Sequence, residues 1–386
     1  MNLNELKIKF KEYFGENNEE IKTFFSPSRI NIIGEHIDYN GGEVFPCAIE
    51  IGTYGIARKN DDNKLRLKSL NLDKSGEISL DNIEYKEEND WMNYPLGVAK
   101  YTEEKGYKIG GLDILVYGNI PNGSGLSSSA SLEVLFGEIF SVFYNDGKIP
   151  HTELALIGMS TENKFIGVNS GIMDQFVIAN GKKDHAVLIN TNTMEYSYVP
   201  FDLGNHKIVI LNTNKRRELK DSKYNERRAE CEEALRIIRE YKDIKYLCDL
   251  RKNDLDILSK IKDPVVRKRA EHVVLENERV KEAVQALKNN DIKLLGELLV
   301  QSDDSLRELY EVTGPHLDAI TKYSNEFESC LGARMTGAGF GGCGIAIVES
   351  SSVEDFKNYV GPRYKEKTGL EAEFIISDVG NKVSEI

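Results

Sequence analysis

The spacing of apolar residues predicts a chain that mixes helices with strands. Leu3, Leu6, Phe10 and Phe14 recur at steps of three and four residues, which is the spacing of one helix face. Further helices are predicted at 90–105, 130–144 and 152–165. Short apolar or alternating runs predict strands. These runs are 24–33, 43–48, 51–58, 64–70, 112–117, 186–191, 207–212, 344–348 and 372–377, and we expect the last two to close the chain.

The middle of the chain, residues 205–295, differs in composition from the rest. It contains none of the 32 glycines, and its segments 226–241 and 265–287 combine helical spacing with dense charge. Such charge is typical of a solvated helix face. A chain of 386 residues also exceeds the usual size of one domain. We therefore predict two lobes, an N-terminal one at 1–205 and a C-terminal one at 206–386.

Charge and cysteine content narrow the classes of partner and compartment. The chain has 50 Lys and Arg against 63 Asp and Glu, a net charge of −13, so we expect no nucleic-acid partner. Its apolar runs are too short to span a bilayer, and its N-terminus lacks the apolar core of a signal peptide. The five cysteines lack CxxC spacing, which favours buried thiols in the cytoplasm over a disulfide framework or a zinc site.

A loop rich in glycine and serine lies between a predicted strand and a predicted amphipathic helix. It reads GSGLSSSAS at 123–131 and is called the serine loop below. Glycine lets the backbone approach an anion, and a helix start offers free N–H groups and a positive dipole end. The loop lacks the lysine of a Walker sequence and the third glycine of a dinucleotide fingerprint. It therefore predicts a phosphate site, with a flexible connector as the alternative interpretation.

A second glycine-rich loop, GAGFGG at 337–342, matches the pattern GxGxxG. In a dinucleotide-binding unit a helix follows that pattern. Here a strand is predicted next, so we do not assign a dinucleotide site. We expect this loop to bring its backbone close to the serine loop.

Polar residues cluster in the segment RINIIGEHIDYNGG at 29–42. Arg29, Glu35, His36 and Asp38 lie within ten positions, beside a predicted strand and a glycine turn. Carboxylates accept hydrogen bonds from neighbouring hydroxyls, so this cluster predicts a pocket for a polyhydroxylated ligand. One alternative is a set of surface turn residues with an ion pair to Arg29. Another is a zinc site, for which a single histidine with adjacent acids is weak support.

Taken together, these segments resemble the GHMP kinase superfamily and, within it, the galactokinases. Three motifs occur in the order of the family, at 29–42, 123–133 and 336–344, and GIMDQF at 171–176 and DSKYNERR at 221–228 resemble further family segments. The resemblance covers nearly the whole chain. It implies the fold class α/β (α+β): a two-lobed GHMP-kinase-like fold with a mixed β-sheet N-terminal lobe and a helix-rich α+β C-terminal lobe. The active site would lie in the cleft between the lobes.

The resemblance also implies a reaction and a cofactor. The family transfers the γ-phosphoryl group of ATP to the anomeric hydroxyl of α-D-galactose, which gives ADP and the galactose 1-phosphate of the Leloir pathway. Mg²⁺ would be the cofactor. The partners would be the small molecules galactose and MgATP, with no nucleic acid and no membrane. We expect a cytoplasmic monomer.

The residue roles implied by the resemblance fall into three groups. The ATP phosphates would bind to the serine loop, with Ser69 as an additional nucleotide contact, and the magnesium ion would bind to Ser129 and Glu162. The loop residues are Gly123, Ser124, Gly125, Leu126, Ser127, Ser128 and Ser129. The sugar pocket would be lined by Glu35, His36, Asp38, Gly171, Asp174 and Tyr224.

Asp174 would be the catalytic base, with Arg29 beside it. An ordinary aspartate has a pKa of ~3.9 and is a weak base toward an alcohol. Phosphoryl transfer depends mainly on positioning and on neutralising the charge of the transferred group. Asp174 would therefore either remove the proton of the hydroxyl or orient that hydroxyl, and the sequence leaves both roles open.

Two alternative functions stay open from the sequence. A sister sugar 1-kinase would act on N-acetylgalactosamine or an arabinose-like sugar, and it would differ only in the shape of the pocket. A non-catalytic sensor of galactose and ATP would be expected to have a damaged serine loop or a lost base. Here Ser127–Ser131 and Asp174 are intact, which favours an enzyme.

Overall fold

Two β-sheets with helices packed against them form the framework of the protein. A computed structural model describes residues 1–121, 124–168, 170–215 and 220–386. The larger sheet has the strand order β12-β1-β2-β5-β3-β4, and β6 and β7 extend it from β2. It is mixed, because β3 and β5 run parallel while β1 and β2 are antiparallel. Its strands are β1 Lys22–Ile33, β2 Glu43–Lys59, β3 Lys64–Ser69, β4 Ser75–Ser79, β5 Leu112–Gly118, β6 His185–Asn190, β7 Tyr196–Pro200 and β12 Ser384–Glu385.

The second sheet is antiparallel and has the strand order β11-β8-β10-β9. Its strands are β8 His206–Asn212, β9 Cys330–Thr336, β10 Cys343–Glu349 and β11 Glu373–Ile376. A mixed sheet beside a helix-rich α+β part confirms the predicted fold class.

The helices follow the predicted pattern in most places and fill the segments between the strands. The α-helices are α1 Leu3–Phe14, α2 Asn93–Glu104, α3 Ser128–Tyr144, α4 His151–Ser160, α5 Met173–Asn180, α6 Lys220–Ile238, α7 Pro264–Lys288, α8 Ile292–Ser305, α9 Gly314–Asn325 and α10 Val353–Thr368. Across the four described ranges, we find no helix with the length and apolar character needed to cross a bilayer.

Helix α1 shows how local signals set an element. The side chain of Asn2 accepts a hydrogen bond from the backbone of Glu5, and the side chain of Glu5 accepts one from the backbone of Asn2, which forms a capping box. Leu6 and Phe10, one helical turn apart, are fully buried. They pack with residues of β2 and β5, so α1 covers the outer face of the larger sheet.

Two elements differ from their predicted form. The strands predicted at 43–48 and 51–58 are one continuous strand, β2, which pairs with β6 near its start and with β5 near its end. Gly52 allows β2 to lie close against its antiparallel neighbour β1, because a Cβ there would lie 2.1 Å from the carbonyl oxygen of Ser26. The helix predicted at 152–165 consists of α4 and a π-helical turn at Thr161–Ile166.

The prediction that residues 344–348 and 372–377 close the chain is wrong. The chain continues into β12, in which Glu385 is paired with Phe24 of β1. The ammonium of Lys22 also lies 2.8 Å from a carboxylate oxygen of Glu385. A two-residue strand has no periodic pattern of its own, so only the partner strand defines it.

The two sheets share one hydrophobic core. Ile30 and Phe45 of the larger sheet belong to the same buried cluster as Val280 of α7, Leu298 of α8 and Met335 of β9. The polar segments that leave these strands are therefore fixed relative to one another, because a close-packed interior is hardly compressible.

Helix α8 and strand β9 approach each other closely at a pair of glycines. A Cβ on Gly296 would lie 2.3 Å from the carbonyl oxygen of Leu331, and a Cβ on Gly332 would lie 2.2 Å from that of Gly296. This contact seats β9 against the helices of the C-terminal part. Strand β9 ends at Thr336, directly before the second glycine-rich loop.

Candidate active site

A cavity of about 350 Å³ opens where segments of the two sheets and of α6 meet. This volume lies in the range of small-molecule sites. The lining residues named from the sequence are Arg29, Glu35, His36, Asp38, Gly125, Ser127, Ser128, Ser129, Glu162, Gly171, Asp174 and Tyr224. Gly337 and Ala338 of the second glycine-rich loop also line the cavity, so three sequence motifs as much as about 300 positions apart meet in one place.

The serine loop places the start of α3 at this cavity. Ser127 precedes the helix in a left-handed conformation, with φ of 61°, and Ser128 and Ser129 form its first turn. Ser127, Ser128 and Ser129 line the cavity, so the positive dipole end of α3 and its first N–H groups, which have no partner within the helix, lie at the cavity. The arrangement suits an anion, as the sequence predicts.

Not every predicted loop residue lines the cavity. Ser124 is buried, and the side chain of Leu126 belongs to the hydrophobic core. The carbonyl oxygen of Leu126 accepts a hydrogen bond from the hydroxyl of Ser28, which ties the loop to β1. Gly123 lies outside the described residues.

Arg29 and Asp174 form a two-pronged ion pair at the centre of the cavity. Nε of Arg29 donates to one carboxylate oxygen of Asp174 at 2.7 Å, and Nη2 donates to the other at 2.6 Å. Arg29 also donates to the carbonyl of Gly125 at 3.1 Å, and Ser127 donates to Asp174. The burial of Arg29 opposes its charge, but the Asp174 carboxylate outweighs that effect and raises the pKa of Arg29. A permanent cation thus stands between the serine loop and Asp174.

Glu162 lies on the π-helical turn and faces the start of α3. Its carboxylate accepts from the hydroxyl of Ser129 at 2.8 Å and from the hydroxyl of Ser170 at 2.5 Å. Magnesium in kinases is commonly held by one or two protein oxygens together with phosphate oxygens. The hydroxyl of Ser129 and the carboxylate of Glu162 are adjacent oxygen donors at the helix end, so this pair fits such an ion.

Glu35 is a buried carboxylate that lines the cavity. One of its oxygens accepts from the backbone N–H of Gly337 at 2.7 Å and lies 3.2 Å from Nη2 of Arg334. Burial raises the pKa of Glu35, and the charge of Arg334 offsets part of that effect. The second glycine-rich loop therefore contacts the polar cluster at 29–42 directly.

His36 is held in one tautomer by a chain of hydrogen bonds. Its Nε2 lies 3.2 Å from the carbonyl oxygen of Ala338, which can only accept, so Nε2 carries the proton. Nδ1 then accepts from the hydroxyl of Tyr39 at 2.9 Å, and that hydroxyl lies 2.7 Å from the hydroxyl of Tyr310. Burial lowers the pKa of His36 to about 3, so the ring is neutral near pH 7.

Asp38 lies against the backbone of Gly171. A Cβ at position 171 would lie 1.7 Å from Oδ2 of Asp38, so only glycine leaves room for this carboxylate. Burial raises the pKa of Asp38 to about 7, and the nearby charges of Asp174 and Glu35 add to that effect. The carboxyl group of Asp38 therefore changes its protonation state near pH 7.

Tyr224 brings helix α6 to the cavity. Its ring centre lies 5.6 Å from that of His36 and 5.5 Å from that of Tyr39. Burial raises the pKa of Tyr224 well above its ordinary value, so the phenol stays protonated. The rings of His36 and Tyr224 line the cavity beside the carboxylates, which suits the carbon face of a polyhydroxylated ring.

Ser69 is not among the residues that line the cavity. It ends β3, and its hydroxyl accepts hydrogen bonds from the backbone N–H groups of Asn71 at 3.1 Å and Leu72 at 3.2 Å. Its predicted contact with the nucleotide stays a prediction. The alternative zinc site at residues 35–38 finds no support, since the described part of the chain contains no group of three His, Cys, Asp or Glu able to hold a metal.

The sequence did not reveal how Glu162 is oriented. Nε2 of Gln175 donates to Glu162 at 3.0 Å and to Glu133 at 2.9 Å, so one amide bridges two carboxyl groups. Burial raises the pKa of Glu133 well above its ordinary value, and the charge of Glu162 adds to this. The sequence indicated these residues only by their position, because Gln175 follows Asp174 and Glu133 is the last residue of the motif at 123–133. Spacing alone cannot place either residue beside Glu162.

Comparisons with family models agree with this arrangement. The galactokinase galactose-binding signature matches residues 8–59, which include the polar cluster. The N-terminal domain of GHMP kinases matches 93–182, which includes the serine loop, Glu162 and Asp174. The C-terminal domain of GHMP kinases matches 283–366, which includes the second glycine-rich loop.

Individual proteins are similar over the full length. A galactokinase of Clostridium tetani is 53% identical, and the match covers 100% of this chain and 98% of the relative. The solved galactokinase of Lactococcus lactis in complex with galactose is 44% identical, with a TM-score of 0.96 over 100% of both chains. The mevalonate kinase of Methanococcus jannaschii has a TM-score of 0.68 at 22% identity over 95% of this chain and 100% of its own, which shows a shared fold.

Proposed function

Because this chain belongs to the galactokinase family of GHMP kinases, we propose that its cleft transfers the γ-phosphoryl group of ATP to the anomeric hydroxyl of α-D-galactose. The chain is an ATP-dependent galactose kinase, and galactose 1-phosphate and ADP are the products of this transfer. The observation that carries the proposal is the Arg29–Asp174 ion pair, which lies in one cavity with both the start of α3 and the carboxylates of Glu35 and Asp38.

The phosphates of ATP would bind at the serine loop. The chain carries a net charge of −13, so its overall field repels a triphosphate. Local donors must supply the attraction, and these are the first N–H groups of α3, the hydroxyls of Ser127, Ser128 and Ser129, and the cation of Arg29. Gly125 allows a close approach of the backbone, since its φ is +76°.

We assign Ser129 and Glu162 to the magnesium ion that such a transfer needs. Their side-chain oxygens lie 2.8 Å apart at the phosphate-binding end of the cavity. Bound magnesium would neutralise charge on the phosphate oxygens. Gln175 and Ser170 keep the Glu162 carboxylate turned toward Ser129.

Asp174 would act on the sugar hydroxyl. It occupies the first turn of α5, and Arg29 and Ser127 fix both of its oxygens. A carboxylate in this position accepts the hydrogen of the anomeric hydroxyl and aims its oxygen at the γ-phosphate. Arg29 lies within reach of both partners, so it can stabilise negative charge that develops during transfer.

The sugar itself would bind between Asp38, Glu35 and Tyr224, over Gly171 and beside His36. The two carboxylates accept hydrogen bonds from sugar hydroxyls, and the aromatic face packs on the ring. The second candidate, a kinase for N-acetylgalactosamine, would need room for a bulky 2-substituent. The relatives named galactokinase favour galactose over it. The intact Asp174 and serine loop likewise favour an enzyme over a sensor.

Turnover tests the function directly. We expect the purified chain to release ADP only when galactose and MgATP are both present, and the same assay with EDTA in place of Mg²⁺ should fall to background. Galactose 1-phosphate, identified by the NMR coupling between phosphorus and the anomeric proton, should accumulate in equal amount to ADP. Release of ADP that does not depend on galactose would contradict the assignment.

The pH dependence of galactose use should follow Asp38. The carboxylate form accepts hydrogen bonds from hydroxyls at both oxygens, while protonation turns one of these oxygens into a donor and leaves the other as an acceptor. Because the pKa of Asp38 is raised to about 7, the carboxylate disappears as the pH falls below that value. At saturating MgATP, kcat/KM for galactose should rise from about pH 6 to about pH 8 and then level off.

The matched variant is Asp38→Asn, which keeps the shape of the side chain but cannot titrate. Its kcat/KM for galactose should be lower and should lose the inflection near pH 7. An inflection that persists unchanged in this variant would show that another group controls it.

Three sequence predictions keep that status. The boundary at residue 205 fits the second sheet, which begins with β8, although β12 returns to the larger sheet. The cytoplasmic location rests on cysteine usage, and four of the five cysteines are buried. The monomeric state is our expectation for the assembly.

A further inference from the structure

A group of fully buried polar residues from the C-terminal part surrounds the backbone of Gly34 and Glu35. We call His272, Glu276, Ser302 and Arg334 the Glu35 support, and each of them is 0% exposed. His272 and Glu276 lie on α7, outside every motif that the sequence analysis singled out. The proposed catalytic roles use none of these four residues.

Glu276 binds the backbone of the sugar-binding segment. Its Oε1 accepts from the N–H of Gly34 at 2.9 Å and from the N–H of Glu35 at 3.3 Å. The same oxygen accepts from the hydroxyl of Ser302 at 2.7 Å, and Oε2 accepts from Nε of Arg279 at 2.7 Å. Hydrogen bonds to an ionised acceptor are stronger than neutral ones, so both backbone groups are held firmly.

His272 and Arg334 hold the remaining groups of Glu35. Nε2 of His272 lies 3.1 Å from the carbonyl oxygen of Glu35, which can only accept, so this nitrogen donates. Nδ1 then accepts from the hydroxyl of Ser305 at 2.8 Å. Arg334 reaches the Glu35 carboxylate, and its Nη1 donates to the carbonyl of Ile32 at 2.6 Å. Glu35 is thus bound at its N–H, its carbonyl and its carboxylate.

Packing alone does not account for this arrangement. Burying a carboxylate is costly, and an apolar residue of similar size would fill the same space. The polar atoms of Glu276 and His272 are directed at the backbone of Gly34 and Glu35, and the side chain of Glu35 lines the cavity. Gly34 is also confined, because a Cβ there would lie 2.9 Å from Cγ2 of Val280 on α7.

We propose that Glu276 and His272 are positioning residues for the sugar: they fix the backbone of Gly34–Glu35 so that the Glu35 carboxylate is preset for galactose. The inference rests on the proposed function, because it concerns the sugar wall of that same cavity. It assigns to α7 a role in galactose affinity and none in ATP binding, since the hydrogen bonds of the support join no serine-loop residue that the structure describes.

The test compares Glu276→Gln with Glu282→Gln, an equal charge change at an exposed position of the same helix. We expect Glu276→Gln to raise KM for galactose about tenfold while KM for ATP changes less than about twofold. Calorimetric titration with galactose alone should show the same loss of affinity. Glu282→Gln should match the wild type. If the role of Glu276 were purely structural, the melting temperature and the active fraction would fall. The KM values for galactose and for ATP would both stay at their wild-type values.

Ser302→Ala provides a second variant that removes one donor to Glu276 and little volume, should Glu276→Gln fail to fold. Its KM for galactose should rise about threefold, again with KM for ATP unchanged. Equal KM values for galactose in the folded variants and the wild type would overturn this inference and leave the proposed function intact. A wild-type chain without galactose-dependent ADP release would overturn both.

Discussion

Galactose should be phosphorylated with a kcat/KM about 10⁴-fold higher than that of glucose. The two sugars differ in the orientation of one hydroxyl. A pocket that pairs buried carboxylates with hydroxyls rejects an epimer because one polar group is left without its partner. Glu35, which is 2% exposed, and the half-buried Asp38, whose carboxylate lies against Gly171, are such groups.

A panel of galactose, glucose, talose and N-acetylgalactosamine at fixed MgATP measures this discrimination. Asp38→Asn should narrow the ratio between galactose and glucose, because an amide offers the sugar a donor in place of an acceptor. Asp184→Asn, the same change at an exposed turn, should keep the wild-type ratio. Equal kcat/KM values for galactose and glucose in the wild type would contradict the assignment of the two carboxylates.

Asp174→Asn should lower kcat by roughly 10²–10⁴-fold, the usual range for the loss of a general base. The amide keeps the shape of the side chain but cannot accept the hydroxyl proton. It also places an NH₂ group against the guanidinium of Arg29, where the wild-type structure has two charge-assisted hydrogen bonds of 2.7 and 2.6 Å. The substitution therefore changes both the orientation of the anomeric hydroxyl and the net charge near the γ-phosphate.

Single-turnover kinetics and a melting curve separate a catalytic effect from a folding defect. The variant should stay folded and bind galactose, while the rate of phosphoryl transfer falls. The exposed Asp184→Asn again serves as the control, with wild-type kcat expected. A near-wild-type kcat in Asp174→Asn would remove Asp174 from the mechanism and leave Arg29 as the main stabiliser of charge.

The two roles open for Asp174 depend on the same geometry. If the carboxylate only orients the hydroxyl, the loss should lie near the lower end of the expected range, because much of the catalysis would remain with Arg29, the helix end and the metal. If it removes the proton, the loss should approach the upper end. The ion pair with Arg29 is common to both roles, so the size of the loss in kcat distinguishes them.

Local signals in the sequence were sufficient for much of the fold. The apolar spacing of Leu6 and Phe10 identifies α1, and alternation identifies β3 within one residue. Such patterns depend on neighbours within a few positions, so they can be read without the partner surface. The short strand β12 carries no such pattern, and its pairing with β1 joins residues about 360 positions apart.

The order of residues along the chain is enough to identify the chemical groups that this protein brings to its task. Residues adjacent in the chain define the chemistry of three segments, which are the serine loop, the Arg29–Asp38 cluster and the segment that contains Asp174. The folded chain, and not the local pattern of residues, sets how these groups lie relative to one another. It placed Glu276 and His272 beneath Glu35, joined Gln175 to Glu162 and left Ser69 outside the cavity lining. These contacts arise when distant segments pack into one core, and hydrogen-bond distances between such segments leave no trace in spacing along the chain.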